Sequence, residues 1–122
     1  MNNTTTHTIP MKRFAIWIID LPSSGNSHVQ HGIRPAIIVS NDMANLYSPV
    51  VTVVPLTSRQ KKPLPTHVSL RGCGLNRDST ALCEQIITVD KTRLTRCIGF
   101  VYNTCDQYAL RQALRVQLGM VS

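Results

Sequence analysis

The chain has 122 residues, 43% of them apolar, which excludes global disorder and is enough for one domain with a real core. Lys and Arg total 13 against 6 acidic residues, a formal charge of +7, so the expected partner is a polyanion: nucleic acid, an anionic membrane or an acidic protein. No apolar run is long enough to span a membrane, and the start, MNNTTTHTIP, has neither the basic nor the apolar region of a secretory signal.

Residues 1–10 read as a disordered polar tail and residues 11–120 as a single domain. Phe14–Ile19 predicts a first strand, followed by a long polar loop from Asp20 to Gly32. Pro35–Ser40 predicts a second strand, and Asn41–Pro49 a connection. Val50–Leu56 predicts a third strand, apolar enough to be buried on both faces. Thr57–Pro65 is a basic loop, Thr66–Leu70 a fourth strand, and Gly72, Gly74 and Asn76 mark a turn. Thr80–Thr88 predicts a fifth strand, Asp90–Leu94 a helical turn capped by Asp90, and Cys97–Tyr102 a sixth strand. A helix ends the chain. Thr104 and Gln107 have capping-box spacing, Leu110, Ala113, Leu114 and Leu118 share a face, and Gly119 is the stop. The expected fold is mainly β, a small bent sheet or barrel closed by one C-terminal helix.

Among the aromatic residues, Phe14, Trp17 and Phe100 are expected in the core. The cysteines Cys73, Cys83, Cys97 and Cys105 include no CxxC pair, so neither a zinc site nor any other cofactor is expected. Without an export signal the expectation is a cytoplasmic protein with reduced thiols, Cys83 and Cys97 in the core. The carboxylates are dispersed, which argues against a two-metal nuclease, and no P-loop, dinucleotide fingerprint or GxSxG elbow occurs.

What remains is a set of polar residues at strand ends. Pro35 disfavours the α-helical conformation at Arg34, so the Arg34 side chain projects from extended backbone. Thr57 and Ser58 end the third strand and can donate hydroxyl hydrogen bonds to a phosphate beside Arg34. Arg59, Lys61 and Lys62 can follow a nucleic-acid backbone electrostatically. His28 and His31, in the loop before Arg34, are candidate proton carriers, and His67 reads as structural.

From Met11 to Met120 the chain resembles the MazF/PemK family of toxin endoribonucleases. The resemblance rests on Gln30–Pro35, Ile38–Asp42, Tyr47–Pro49, Val54–Ser58, Leu64–Val68, Gly74-Leu75, Asp78-Ser79, Glu84–Ile86 and Asp90–Leu94, in this order and near the family's spacing. It implies an SH3-like barrel of antiparallel strands, of the CcdB/PemK type. It also implies a homodimer, metal-independent cleavage of single-stranded RNA, and an acidic antitoxin partner. The family's catalytic arginine and threonine fall on Arg34 and Thr57. The loop with His28, Gln30 and His31 would lie over the substrate, and Gln85 would line the groove. The family's Arg-Gly-Asp before the first strand is Arg13-Phe14-Ala15 here, its Gln-Gly-Gly before the arginine is Gln30-His31-Gly32, and an arginine common after Glu-Gln-Ile is Ile87. Two other readings share the fold: a CcdB-like gyrase-binding toxin without nuclease activity, and a catalytically impaired RNA-binding homologue.

Overall fold

A computed structural model of the chain describes residues 11–120 except 24 and 26, so the expected tail over residues 1–10 lies outside the described residues. Seven strands form one connected antiparallel sheet: β1 (Ala15–Leu21), β2 (Gly32–Ile38), β3 (Val50–Thr57), β4 (His67–Leu70), β5 (Ser79–Leu82), β6 (Ile87–Asp90) and β7 (Leu94–Phe100). Their order is β4-β5-β3-β2-β1-β7, with β6 paired to the first half of β3. Two helices complete the fold, α1 (Asp42–Tyr47) and α2 (Thr104–Gln117).

The long apolar runs arise because both faces of the central strands are buried. Ile16, Ile37, Val54 and Leu56 pack with Leu110, Ala113 and Leu114 of α2. Their neighbours Ile19, Ile38, Val51 and Val53 pack on the opposite face with Val89 and Leu94. Strand β3 changes partner along its length, pairing β6 as far as Val53 and β5 from Leu56. Pro55, which has no N–H to donate, falls in the gap between these ladders.

The sheet is bent but does not close into a barrel: among the described residues no ladder joins β4 to β7. Backbone contact bridges that side instead. A Cβ on Gly99 of β7 would lie 1.6 Å from the Cys73 carbonyl oxygen, and one on Gly74 would lie 2.1 Å from the Ile98 carbonyl oxygen. The turn after β4 therefore crosses β7 where only glycine fits.

Several local expectations are corrected. The predicted strand Thr80–Thr88 breaks at a 3-10 turn, Cys83–Gln85, because the Glu84 side chain turns back to β4 and its approach: it accepts from Thr66 Oγ1 (2.8 Å) and pairs with His67 Nε2 (3.0 Å). The connection after β2 contains the helix α1, capped by Asn41, which accepts from the Ala44 N–H. The 3-10 turn Lys91–Arg93 forms, but Asp90 makes no side-chain cap. The cap of α2 is Asn103, accepting from the N–H groups of Cys105 and Asp106, while Gln107 donates to the Val101 carbonyl (2.8 Å). Leu118 is exposed rather than on the packed face, because α2 ends at Gln117 and Gly119 (φ +68°) terminates it as expected. Cys83 is buried, but Cys97 is exposed, lying on the edge strand β7. Trp17 and Phe100 are only partly buried.

Phe14 occupies the left-handed region (φ +76°), at a cost of about 1–2 kcal/mol. Its N–H donates to the Ile38 carbonyl (2.7 Å) and its own carbonyl accepts from Val101 (3.0 Å). The ring is 5% exposed, and burial worth roughly 1.5–3 kcal/mol offsets the strain.

The crossing of the turn over β7 makes a paired prediction. Gly99→Ala should lower the unfolding free energy by about 3 kcal/mol or more, since backbone rather than a flexible side chain must move. Gly72→Ala, at φ +68° with open space around it, should cost only about 1–2 kcal/mol. Urea denaturation of both variants distinguishes the outcomes, and equal losses would contradict the crossing.

Candidate RNA-binding groove

Arg34 lies on β2 opposite Ile19 of β1, with Pro35 opposite Ile18. Its guanidinium is half-buried and held by neutral oxygens: Nε donates to the His31 carbonyl (2.9 Å), and a terminal nitrogen donates to Gln30 Oε1. Gln30 is fixed in turn, its N–H donating to Gln85 Oε1 (2.7 Å). Gln85 Nε2 also reaches the His28 carbonyl (3.5 Å). Thus Gln85 lines neither lobe of the groove; it ties the long loop to the turn after β5. Burial, and secondarily the charge of Arg59, lower the Arg34 pKa from its ordinary value.

Thr57 ends β3 and is 7% exposed. Its Oγ1 accepts from the Arg59 N–H (3.2 Å), which leaves the hydroxyl proton free to be donated. Arg34, Thr57 and Arg59 are shared by two lobes of one groove. The larger, of about 810 Å³, adds Ser58, Asn76, Arg77, Ser79 and Arg96. The smaller, of about 340 Å³, adds His28, Gln30, His31 and Lys61. Lys62 is exposed and lines neither lobe.

No carboxylate lines either lobe, whereas four arginines line the larger one. Asp78, next to Arg77, faces Arg71 instead (3.6 Å). The arrangement favours an extended anion, and each phosphate can take charge-assisted hydrogen bonds from a guanidinium. Among the described residues no three His, Cys, Asp or Glu side chains cluster as a metal site. Of the departures from the family pattern, Phe14, Ala15 and Ile87 line neither lobe, whereas His31 lines the smaller one.

Arg77 and Arg96 escaped the sequence reading. The first sits in a turn and the second on an edge strand, and the glycine crossing brings both to the groove. The only sequence signal is that each lies three residues from a glycine of that crossing.

Glu84 anchors the turn that carries Gln85 to Thr66 and His67. Burial alone would raise its pKa, but hydrogen bonds from His67, its own backbone N–H and Thr66, with the His67 charge, outweigh burial and hold it below the ordinary carboxylate range.

The family model for the PemK-like, MazF-like toxin of type II toxin–antitoxin systems matches residues 12–118. Endoribonuclease EndoA of Bacillus subtilis is 42% identical over 114 residues, covering 91% of this chain and 97% of the relative. Endoribonuclease MazF of Staphylococcus saprophyticus is 37% identical over 114 residues, covering 90% and 92%. A mycobacterial endoribonuclease solved in complex with its cognate antitoxin superposes with a TM-score of 0.76 at 26% identity, covering 91% of this chain and 97% of that one.

The depressed Glu84 pKa fixes a sign for acid stability. The unfolded chain takes up this proton more readily, so the contribution is present above the unfolded pKa and is lost as pH falls through the lowered folded pKa. Wild-type stability should therefore fall below the ordinary value of 4.5 more steeply than that of Glu84→Gln. Chemical denaturation across acid pH tests this, and parallel profiles would remove Glu84 from the account.

Proposed function

As a chain that belongs to the PemK-like, MazF-like toxins of type II toxin–antitoxin systems, this protein is, we propose, a metal-independent endoribonuclease that cuts single-stranded RNA in the arginine groove. The observation that carries the reading is the convergence of Arg34 and Thr57 at the junction of two lobes without a carboxylate. The names of the relatives, both endoribonucleases, support it. That Phe14, Ala15 and Ile87 line neither lobe favours an active enzyme over an impaired homologue. A gyrase binder without nuclease activity would have no use for the Arg34–Thr57 pair.

In the proposed step the ribose 2′-oxygen attacks the adjacent phosphorus and the 5′-oxygen leaves, giving a 2′,3′-cyclic phosphate and a 5′-hydroxyl. The nucleophile belongs to the substrate, so the protein supplies position and charge. Arg34 faces the charge that builds on the non-bridging oxygens, and the Thr57 hydroxyl donates to one of them. A guanidinium stays protonated near neutral pH, so Arg34 acts as charge stabiliser rather than base. The 2′-hydroxyl proton passes to a base and the 5′-oxygen takes a proton from an acid. His28 and His31, beside Arg34 in the smaller lobe, are the candidates for these transfers. Ser58, Arg59, Lys61, Arg77 and Arg96 hold flanking phosphates, while Lys62 lies beyond the groove. A homodimer, an acidic antitoxin as inhibitor and a cytoplasmic site of action complete the proposal. No helix of the described residues is long and apolar enough to cross a membrane.

The test is cleavage of a long mixed-sequence RNA in excess EDTA. Wild-type protein should give discrete cuts with cyclic-phosphate ends, and Arg34→Ala should be slower by about 10²–10³. A variant rate within about tenfold of wild type would sink the role of Arg34. Run across pH, the same assay should show an altered profile in the His28→Ala, His31→Ala double variant, and an unchanged profile would end the histidine assignment. Absence of cutting together with gyrase inhibition would favour the second reading.

A further inference from the structure

The arginine groove continues past the glycine crossing. A cavity of about 400 Å³ shares Gly74 and Cys97 with the larger lobe and adds Cys73, Phe100 and Tyr102. Those last three residues also line a cavity of about 460 Å³, completed by Ser69, Arg71, Asn103 and Asp106. Neither cavity is lined by Arg34 or Thr57, so a strand that follows this path places there a nucleotide flanking the cut.

The extension supplies what the groove lacks. No Phe, Tyr or Trp lines either lobe, and single strands are recognised largely by stacking. Tyr102 is 73% exposed, and its ring centroid lies 4.7 Å from that of Phe100. The backbone beneath it is fixed on both sides. The Val101 N–H donates to the Phe14 carbonyl (3.0 Å), the Val101 carbonyl accepts from Gln107 Nε2 (2.8 Å), and Asn103 caps α2. A platform held in this way loses little freedom on binding. Asp106 provides an edge. Its backbone N–H donates to Asn103 Oδ1 (3.1 Å), while its carboxylate has no hydrogen bond or ion pair among the described residues.

We propose that this extension seats one guanine of the bound strand, stacked on Tyr102 with its edge donating to Asp106. An ionised carboxylate only accepts hydrogen bonds, and guanine offers its two oxygens two adjacent donors, N1–H and N2–H. Adenine, cytosine and uracil each set an acceptor beside the donor on that edge, which a carboxylate repels. The same negative charge turns the phosphates away from α2, toward Arg71 at the rim, whose exposed pair with Asp78 (3.6 Å) is weak. The proposal rests on the endoribonuclease reading for the strand that arrives, but seating of the base is measurable whether or not the strand is cut.

The probes are fluorescein-labelled DNA strands of about twelve nucleotides: all thymidine, and the same strand with one central guanine or one central adenine. DNA lacks the 2′-hydroxyl and is not cut by the proposed step. Anisotropy with the whole chain should show the guanine strand bound about fivefold or more tighter than either other strand. Tyr102→Ala should weaken binding of the guanine strand by about tenfold, and Tyr102→Phe, which keeps the stacking face, should stay within about twofold of wild type. Asp106→Asn should bind the thymidine strand at least as tightly as wild type and lose the preference for guanine. The proposal is overturned if wild type does not distinguish guanine, if adenine gives the same gain, or if Tyr102→Ala or Asp106→Asn keeps the preference in full. If Arg77→Glu, Arg96→Glu weakens all strands while the Tyr102 and Asp106 variants match wild type, the subsite falls and the groove stands. Guanine binding through Tyr102 without any cutting of RNA would leave the subsite standing and count against the endoribonuclease reading alone.

Discussion

The groove depends on a guanidinium oriented by neutral oxygens. Arg34 donates to the His31 carbonyl and to Gln30, and no carboxylate lines either lobe around it. A carboxylate would have fixed the side chain as firmly but would also have offset its charge. A carbonyl and an amide fix direction and leave the charge for an incoming phosphate. The requirement passes along the chain: Gln30 must be held, so Gln85 holds it, and the turn carrying Gln85 is fixed by Glu84 against Thr66 and His67.

A second constraint builds the opposite wall. Backbone crosses backbone at Gly74 and Gly99, which draws the turn bearing Arg77 onto the edge strand bearing Arg96. The sheet does not close by a ladder there, and the groove occupies the side left open. Like charges gathered in this way repel one another, so the groove is a place where stability is given up for binding. The core on both faces of β2 and β3 compensates. Phe14 shows the same balance locally, its unfavourable φ offset by a buried ring.

The sequence disclosed what is local and periodic. Arg34 before Pro35, Thr57 at the end of an apolar run, the final helix and its glycine stop are all set by neighbours in the chain, and they were legible. Helix α1 was not, because it buries only Asn45 and so has no apolar stripe. The break at Cys83–Gln85 was hidden inside an apolar run, since its cause is a long-range contact from Glu84 to Thr66 and His67. Asn103 took the cap expected of Thr104, a shift of one residue that spacing alone does not resolve. Cys97 read as core because strand composition does not tell an edge from a centre. Arg77 and Arg96 were out of reach for a related reason: nothing in either segment announces that two glycines bring them together.

The most direct test of the account is the RNA-cleavage rate of Gln30→Glu. This change keeps the size and reach of the side chain that holds Arg34 and places a negative charge against the guanidinium. If Arg34 works through uncompensated charge, the rate should fall by about tenfold or more, while Gln30→Ala, which loosens the side chain without neutralising it, should lose less. A Gln30→Glu rate equal to or above wild type would contradict the central claim that the groove acts through an arginine held only by neutral groups.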